Sequence, residues 1–260
     1  DFSLEANESG QINVYANATQ EGPFTATLRI IYNGNDYGIA LSATGLPSGT
    51  VVIGTGTEDL DLPINPYYGY SYSQSIFLQS DIHIANRNIE KIYYYWDGSA
   101  SAVNSNDWII YMGNTDLTEF ADANSWISID QLTQVFSGTV ELPDVPGWIE
   151  INLNTPFFHN NQNLIIAVDE NKANCDGSSE YFYCTPTGAK GYRSIIYYSD
   201  VTNPNPNNPP TGTYSNYAKA GFPNLKMQFE EEQPPLPVEL TTFTAVISSD
   251  NLVEISWITQ

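Results

Sequence analysis

Short runs of β-branched and aromatic residues, many of them alternating with polar residues, recur along the chain and are separated by Gly, Asn, Asp and Pro. Such runs are typical of β-strands, and no window rich in Ala, Leu, Glu and Lys repeats with the helical period of about 3.6 residues. The pattern therefore predicts an all-β protein. The expected strands are 11–16, 24–32, 37–43, 75–78, 90–96, 108–112, 133–142, 148–153, 163–169, 181–184 and 194–198.

The clearest predicted hairpin covers residues 28–43, because Asn33-Gly34 supplies the positive φ angles of a tight turn between two strand-like runs. One or two short helical turns are expected within residues 115–126, where capping residues precede apolar ones. Apolar residues at alternating or continuously apolar strand positions should form the core of the central part of the chain. They are Ile76, Leu78, Ile92, Ile110, Val140, Ile149, Ile151, Ile166 and Val168.

Turn-rich and proline-rich segments divide the chain into parts. Residues 1–47 form a β segment that ends in a Gly/Pro cluster, and residues 50–230 contain most of the strands. Residues 231–237 are a Glu/Pro linker that should be extended, and the β pattern restarts at 238–260. We expect one jelly-roll-like β-sandwich in the centre, flanked by two partial sandwiches.

The charge balance excludes some classes of partner. Lys and Arg number 8 against 30 Asp and Glu, which gives a net charge of -22. Nucleic acids and anionic membranes need clustered cations, so neither is an expected partner, and no apolar run is long enough for membrane insertion. The chain is nevertheless 41% hydrophobic and 13% aromatic, which is enough to bury a core.

The numerous acids suggest calcium as a structural ion, since calcium prefers carboxylate, amide and carbonyl oxygens. Acidic loops and strand ends supply Asp59, Asp61, Asp107 and Asp169 as candidate metal ligands, although no EF-hand sequence occurs.

No catalytic residue and no cofactor-binding motif is predicted. His83 and His159 have no metal ligand at a suitable spacing, and we expect both to face solvent. A Gly-x-Ser-x-Gly motif does not occur. We therefore expect a non-enzymatic protein. A pair of catalytic carboxylates about 5 to 10 Å apart across a cleft remains an alternative.

Cys175 and Cys184 are the two cysteines of the chain. In an oxidising compartment, a pair so close in sequence predicts a disulfide that closes one loop. The alternative is two buried free thiols.

Tyrosines cluster at several points, and those on an expected loop, Tyr67, Tyr68 and Tyr70, are candidate glycan-binding residues. Tyrosine rings with polar tips can stack on sugars. The alternative is that many of these rings belong to the core, because neighbouring strand residues point to opposite faces.

Three sets of motifs resemble modules of large secreted Bacteroidetes proteins. The expected strand at 11–16, Gly22-Pro23 and residues 39–45 resemble the last strands of an immunoglobulin-like sandwich of the choice-of-anchor D kind. Residues 236–245 with 253–257 are similar to the start of a fibronectin-type-III-like module.

The central phrases resemble jelly-roll modules that are loosely related to the cleaved-adhesin domains of gingipains. These phrases lie at residues 67–75, 108–113, 146–151 and 163–168. The resemblance implies a secreted or cell-surface multidomain protein that is exported by the type IX route.

Taken together, these observations predict a structural or adhesive extracellular module, which could form part of a filament. The alternative is a carbohydrate-binding accessory module of a secreted hydrolase. Each end segment is too short for a complete sandwich of about 100 residues. We therefore expect the chain to be an excerpt of a longer polypeptide, with neighbouring domains as its partners. In the alternative, copies of the chain donate the missing strands to one another. Surface glycans are further expected partners.

Overall fold

The computed structural model describes residues 22–32, 35–45, 48–177, 179–188, 191–213, 215–231, 240–247 and 253–259. The predicted strand at 11–16 and nearly all of the predicted linker at 231–237 lie outside these residues. Contacts divide the chain into two compact units, Asp1–Glu230 and Glu231–Gln260.

Nearly all regular structure is β, as the sequence predicts. The strands are β1 (Gly22–Tyr32), β2 (Asn35–Gly45), β3 (Thr50–Ile53), β4 (Tyr70–Phe77), β5 (Arg87–Trp96), β6 (Asp107–Thr115), β7 (Thr133–Thr139), β8 (Gly147–His159), β9 (Asn163–Glu170), β10 (Cys184–Pro186), β11 (Ser194–Ser199), β12 (Asn216–Lys219), β13 (Gly221–Pro223), β14 (Leu225–Phe229), β15 (Leu240–Ile247) and β16 (Val253–Thr259). The helical segments are α1 (Gln79–Ile82) and a 3-10 turn at Ile129–Gln131.

Two antiparallel sheets form the body of the first unit. One has six strands in the order β12-β11-β4-β9-β6-β7, and the other has four in the order β3-β14-β5-β8. Strands β4, β5 and β6 alternate between the sheets, as do β7, β8 and β9, so the chain winds around the core as in a jelly roll. The all-β sandwich is thus confirmed.

The core lies between the sheets and is rich in aromatic residues. Trp96, Trp108 and Phe182 are at most 1% exposed, and the Phe182 ring lies 4.7 Å from that of Trp96 and 5.8 Å from that of Trp108. A buried side chain of this size contributes about 1.5–3 kcal/mol to stability. Most predicted core residues belong here: Ile92, Ile110, Val140, Ile149, Ile151, Ile166 and Val168.

A smaller apolar cluster covers the other face of the six-stranded sheet. Ile76 lies in this cluster with Phe120 and Ile165, and Leu78 packs against it half-buried. The predicted helical turns at 115–126 are wrong, because the Phe120 backbone N–H instead bonds to the Tyr192 carbonyl at 2.7 Å and pins this loop to the sheet.

Two hairpins lie outside the sandwich sheets. Strands β1 and β2 pair without a register shift and place Tyr32 opposite Asn35, which confirms the predicted hairpin. Strands β15 and β16 pair in the second unit, with an irregularity between Leu240 and Thr242. Within the described residues, no helix is long and apolar enough to span a membrane.

Candidate functional site

Hydrogen bonds from its own side chains fold the loop between β3 and β4 back on itself. The Asp59 carboxylate accepts the backbone N–H of Asp61 at 3.0 Å, and Asp61 adopts a left-handed φ of 61°. The Asn65 side chain donates to Asp61 at 2.8 Å and accepts the backbone N–H of Tyr67 at 3.1 Å. Asp and Asn favour such turns because their side chains bond to nearby backbone. These bonds bring Asp59 and Asp61 beside Tyr67.

Four tyrosine rings continue from this loop across two strands. The Tyr67 ring meets Tyr68 edge-on at 5.3 Å, and Tyr68 stacks on Tyr198 of β11 at 4.2 Å. Tyr198 in turn stacks on Tyr217 of β12 at 5.0 Å. The outermost ring, Tyr67, is 52% exposed. The stack is therefore exposed at its two ends, at Tyr67 and at Tyr217, which is 38% exposed, while Tyr68 and Tyr198 pack between them.

An ion pair ties the acidic loop to β12. The Lys219 ammonium lies 2.5 Å from the Asp61 carboxylate, and the two side chains are 18% and 29% exposed. The same ammonium lies 5.2 Å from the centre of the Tyr217 ring. Asp61 is thus held in place by a neighbouring, oppositely charged side chain.

The acids and the tyrosines enclose a cavity of about 230 Å³, which we call the tyrosine–acid pocket. Its wall opposite the loop is formed by Glu180 and Tyr181. Among the described residues, Glu180 Oε2 is buried without a hydrogen-bond partner. The pocket is lined by Asp59, Asp61, Ile64, Asn65, Pro66, Tyr67, Tyr68, Glu180, Tyr181 and Tyr198.

Burial shifts the pKa of groups in the pocket, among them Asp59 and Tyr68. It raises the pKa of Asp59 above its ordinary value, and the neighbouring Asp61 charge adds to this effect. Burial also raises the pKa of Tyr68, so its phenol stays neutral at physiological pH. The pocket therefore offers carboxylate oxygens that accept hydrogen bonds, phenol groups that donate them, and an exposed ring face.

The four predicted calcium ligands form two pairs in different places. Asp59 and Asp61 lie at the pocket, while Asp107 and Asp169 lie on the adjacent strands β6 and β9. Calcium takes about six to eight oxygens, and in the described part of the chain no three acidic, His or Cys side chains lie close enough together to hold a metal ion. Either pair would need carbonyl and amide oxygens to complete a site. Calcium binding stays a prediction, tested by the loss of thermal stability on chelation.

Only two of the three predicted glycan-binding tyrosines lie at the pocket. Tyr67 and Tyr68 line the pocket, whereas Tyr70 begins β4 and is not part of the lining. The expectation that Tyr70 shares a loop with Tyr67 and Tyr68 is wrong, because β4 begins at Tyr70 and pairs with both β11 and β9.

The predicted Cys175–Cys184 disulfide is not formed in this structure. Cys175 is exposed in the loop after β9, whereas Cys184 is fully buried at the start of β10. The Cys184 thiol packs with Leu62 and Ile196, and burial raises its pKa to about 12. The alternative of two buried thiols holds only for Cys184.

The expectation that both histidines face solvent is wrong for His159, while His83 is exposed. His159 is fully buried, with its ring nitrogens 3.0 Å from Asn114 Oδ1 and 2.7 Å from Gln79 Oε1. Burial lowers the pKa of His159 to about 4, so this side chain is a neutral part of the interior.

Sequence reasoning missed the far wall of the pocket. Glu180, Tyr181 and Tyr198 are distant in sequence from residues 59–68 and meet them only through folding. The clustered tyrosines at 181–183 and 197–198 were a signal for aromatic surfaces, but spacing alone does not indicate which clusters meet.

Comparison with known proteins gives little similarity. No protein-family model matches the chain, and no curated protein sequence matches it. A solved structure of the cysteine protease and lectin-like domains of Cwp84, a surface layer associated protein of Clostridium difficile, matches with a TM-score of 0.35 and 9% identity. The match covers 63% of this chain and 33% of that chain. The match thus spans about a third of that solved chain.

Proposed function

We propose that the chain is a non-enzymatic adhesive module of an extracellular or cell-surface protein and that its tyrosine–acid pocket binds a neutral glycan. Neighbouring domains of a longer polypeptide, or copies of the chain in a filament, would hold the module in place. The quoted resemblances to secreted modules and the strongly acidic composition support the location outside the cell.

The pocket's combination of an exposed ring with fixed carboxylates carries this proposal. Tyr67 presents its ring to solvent, and sugar C–H faces pack on such rings. Asp59 and Glu180 contribute carboxylate oxygens to the same lining, and sugar hydroxyl groups donate to carboxylates.

The charge of the pocket selects among glycans. Asp59, Asp61 and Glu180 line it, in a chain with a net charge of -22. Uronic and sialic acids would be repelled by this field. A neutral glycan is therefore the proposed ligand class.

The ion pair and hydrogen bond formed by Asp61 fit a non-enzymatic role. Asp61 is occupied by Lys219 and Asn65, so it is poorly placed to act as a base or nucleophile. Incubation of the chain with any polysaccharide that it binds should release no reducing ends.

Affinity electrophoresis in gels containing neutral glucan, mannan, xylan or galactan tests the proposal. At least one of these polymers should retard the unmodified chain, and Tyr67→Ala should abolish the retardation. Tyr192→Ala is the matched control, because Tyr192 is 42% exposed and is not part of the pocket lining. Free migration in every gel, or equal retardation of the Tyr67→Ala variant, would refute the proposal.

A further inference from the structure

The outer face of the four-stranded sheet carries a row of aromatic side chains that begins at the pocket. Tyr181 lines the pocket and lies 5.8 Å, ring to ring, from Tyr183. Tyr183 stacks on Tyr95 at 5.2 Å, with the two planes within 10° of each other. Tyr95 meets Trp148 edge-on at 5.1 Å. We call these four residues the aromatic track.

Strand geometry explains why the track faces outward. In β5, Tyr94 and Trp96 point into the core, so the alternate residues Tyr93 and Tyr95 point away from it. Trp148 lies directly opposite Tyr95 on β8. The segment that carries Tyr181 and Tyr183 pairs with the end of β5 through the isolated bridge of Phe182. All four track rings are half-buried, so part of each ring is accessible to solvent.

Charged side chains hold the far end of the track in place. The Lys226 ammonium lies 3.9 Å from the centre of the Tyr93 ring and 5.3 Å from that of Trp148. Glu150 accepts hydrogen bonds from the Tyr93 hydroxyl and the Asn152 amide, both at 2.9 Å. These contacts order the aromatic and polar groups before any ligand arrives, which lowers the entropy cost of binding.

A groove beside the track gives a ligand additional room. It has a volume of about 420 Å³ and runs along β8 past Trp148, Glu150 and Asn152. Its other wall is formed by residues that include Phe136 and Pro143. The face thus combines rings with polar groups at the rim.

We infer that the ligand is an extended neutral polysaccharide chain, with one end in the tyrosine–acid pocket and its successive sugars stacked along the aromatic track. This inference rests on the proposed function, since the pocket is its starting point. A continuous row of half-buried rings with polar groups beside it suits a chain of sugars, each of which has an apolar face and a polar edge. A compact protein partner would instead require a broad apolar core within its interface.

A chain-length series tests the inference in the unmodified protein. The probes are oligosaccharides of the polymer that retards the chain, from the disaccharide to the longest soluble oligomer, titrated by calorimetry. Affinity should rise with length by about three- to tenfold for each additional ring that is covered, and then level off. Quenching of Trp148 fluorescence, measured as the difference between the unmodified chain and the Trp148→Phe variant, should appear only with the longer oligomers.

Substitutions in the aromatic track separate binding along the track from binding in the pocket. Tyr95→Ala and Tyr183→Ala should reduce the affinity for long oligomers to that for short ones and leave short-oligomer binding intact. Phe158→Ala is the matched control, because Phe158 is 54% exposed on β8 and lies opposite Asn88, away from the track.

Each alternative result has its own meaning. Binding that depends on Tyr67 but not on oligomer length or track variants would overturn this inference and leave the proposed function standing. Absence of binding to every oligosaccharide would overturn both. Concentration-dependent self-association that is abolished by Tyr95→Ala, without any length dependence, would assign the face to contacts between copies of the chain.

Discussion

Two neighbouring carboxyl groups at the end of β9 lie almost entirely inside the protein. Asp169 is 2% exposed and Glu170 is 1% exposed. Burial raises the pKa of Asp169 to about 7 and that of Glu170 to about 8. Among the described residues, neither carboxyl group forms an ion pair. Both groups therefore bind protons more strongly in the folded state than in the unfolded chain.

The free energy of unfolding should fall as the pH rises from about 4 to about 8, because the two raised carboxyl pKa values outweigh the single lowered pKa of His159, which acts in the opposite direction below about pH 6.5. In the unfolded chain these carboxyl groups lose their protons near pH 4, whereas in the folded protein they lose them near pH 7 and 8. The folded state binds more protons within this window, so a rise in pH favours unfolding. Urea denaturation at both ends of the window should differ by at least about 1.4 kcal/mol, the equivalent of one pKa unit.

Substitution identifies the groups that are responsible for this pH dependence. Asp169→Asn and Glu170→Gln should each flatten the dependence, because neither amide ionises. Asp130→Asn is the control, since Asp130 is exposed. A dependence that is unchanged in both buried variants would contradict the assignment.

The two cysteines should differ sharply in reactivity. In the native protein Cys175 is exposed and Cys184 is fully buried, with the pKa of Cys184 raised to about 12. Because the thiolate is the nucleophile, iodoacetamide should label Cys175 quickly and Cys184 only after denaturation. Peptide mapping by mass spectrometry measures this difference. A joined Cys175–Cys184 peptide in unreduced native protein would show that the structure has the redox state wrong.

At the scale of elements, the pocket loop depends on its link to β12. The Lys219–Asp61 pair is mostly buried, so Lys219→Met should lower the free energy of unfolding by about 1 kcal/mol or more and weaken glycan retardation. The comparison is Lys91→Met, since the Lys91–Glu150 pair is 37% and 44% exposed and should contribute less. Urea denaturation of both variants decides the point. Equal losses would show that the loop does not depend on this pair.

Strands in which apolar and polar residues alternate were predictable from the sequence, whereas a strand without this alternation was not. In β5 and β8, apolar and polar residues alternate, and the sequence predicts both the strands and the core residues Ile92, Ile149 and Ile151. In β4, serines occupy the inward positions, with Ser73 donating to the Pro63 carbonyl, so the apolar signal is missing. The sequence therefore predicts only the end of that strand.

For the whole molecule, the sandwich was predictable from local patterns, whereas the site was not. The sequence indicates Asp59 and Asp61 as calcium ligands and Tyr67 and Tyr68 as glycan-binding residues, and it does not join the two pairs in one site. Their partners across the pocket come from β11 and from the loop before β10. Which loops meet is decided by strand order, and local sequence does not encode strand order directly.

The most direct test of the account is a calorimetric titration of the unmodified chain with a neutral oligosaccharide and with a uronic acid oligosaccharide of equal length. We expect the neutral oligosaccharide to bind and Tyr67→Ala to abolish this binding, while the uronic acid oligosaccharide should not bind at low salt. Binding of the uronic acid oligosaccharide alone, or binding of the neutral oligosaccharide that survives Tyr67→Ala, would contradict the assignment of the tyrosine–acid pocket.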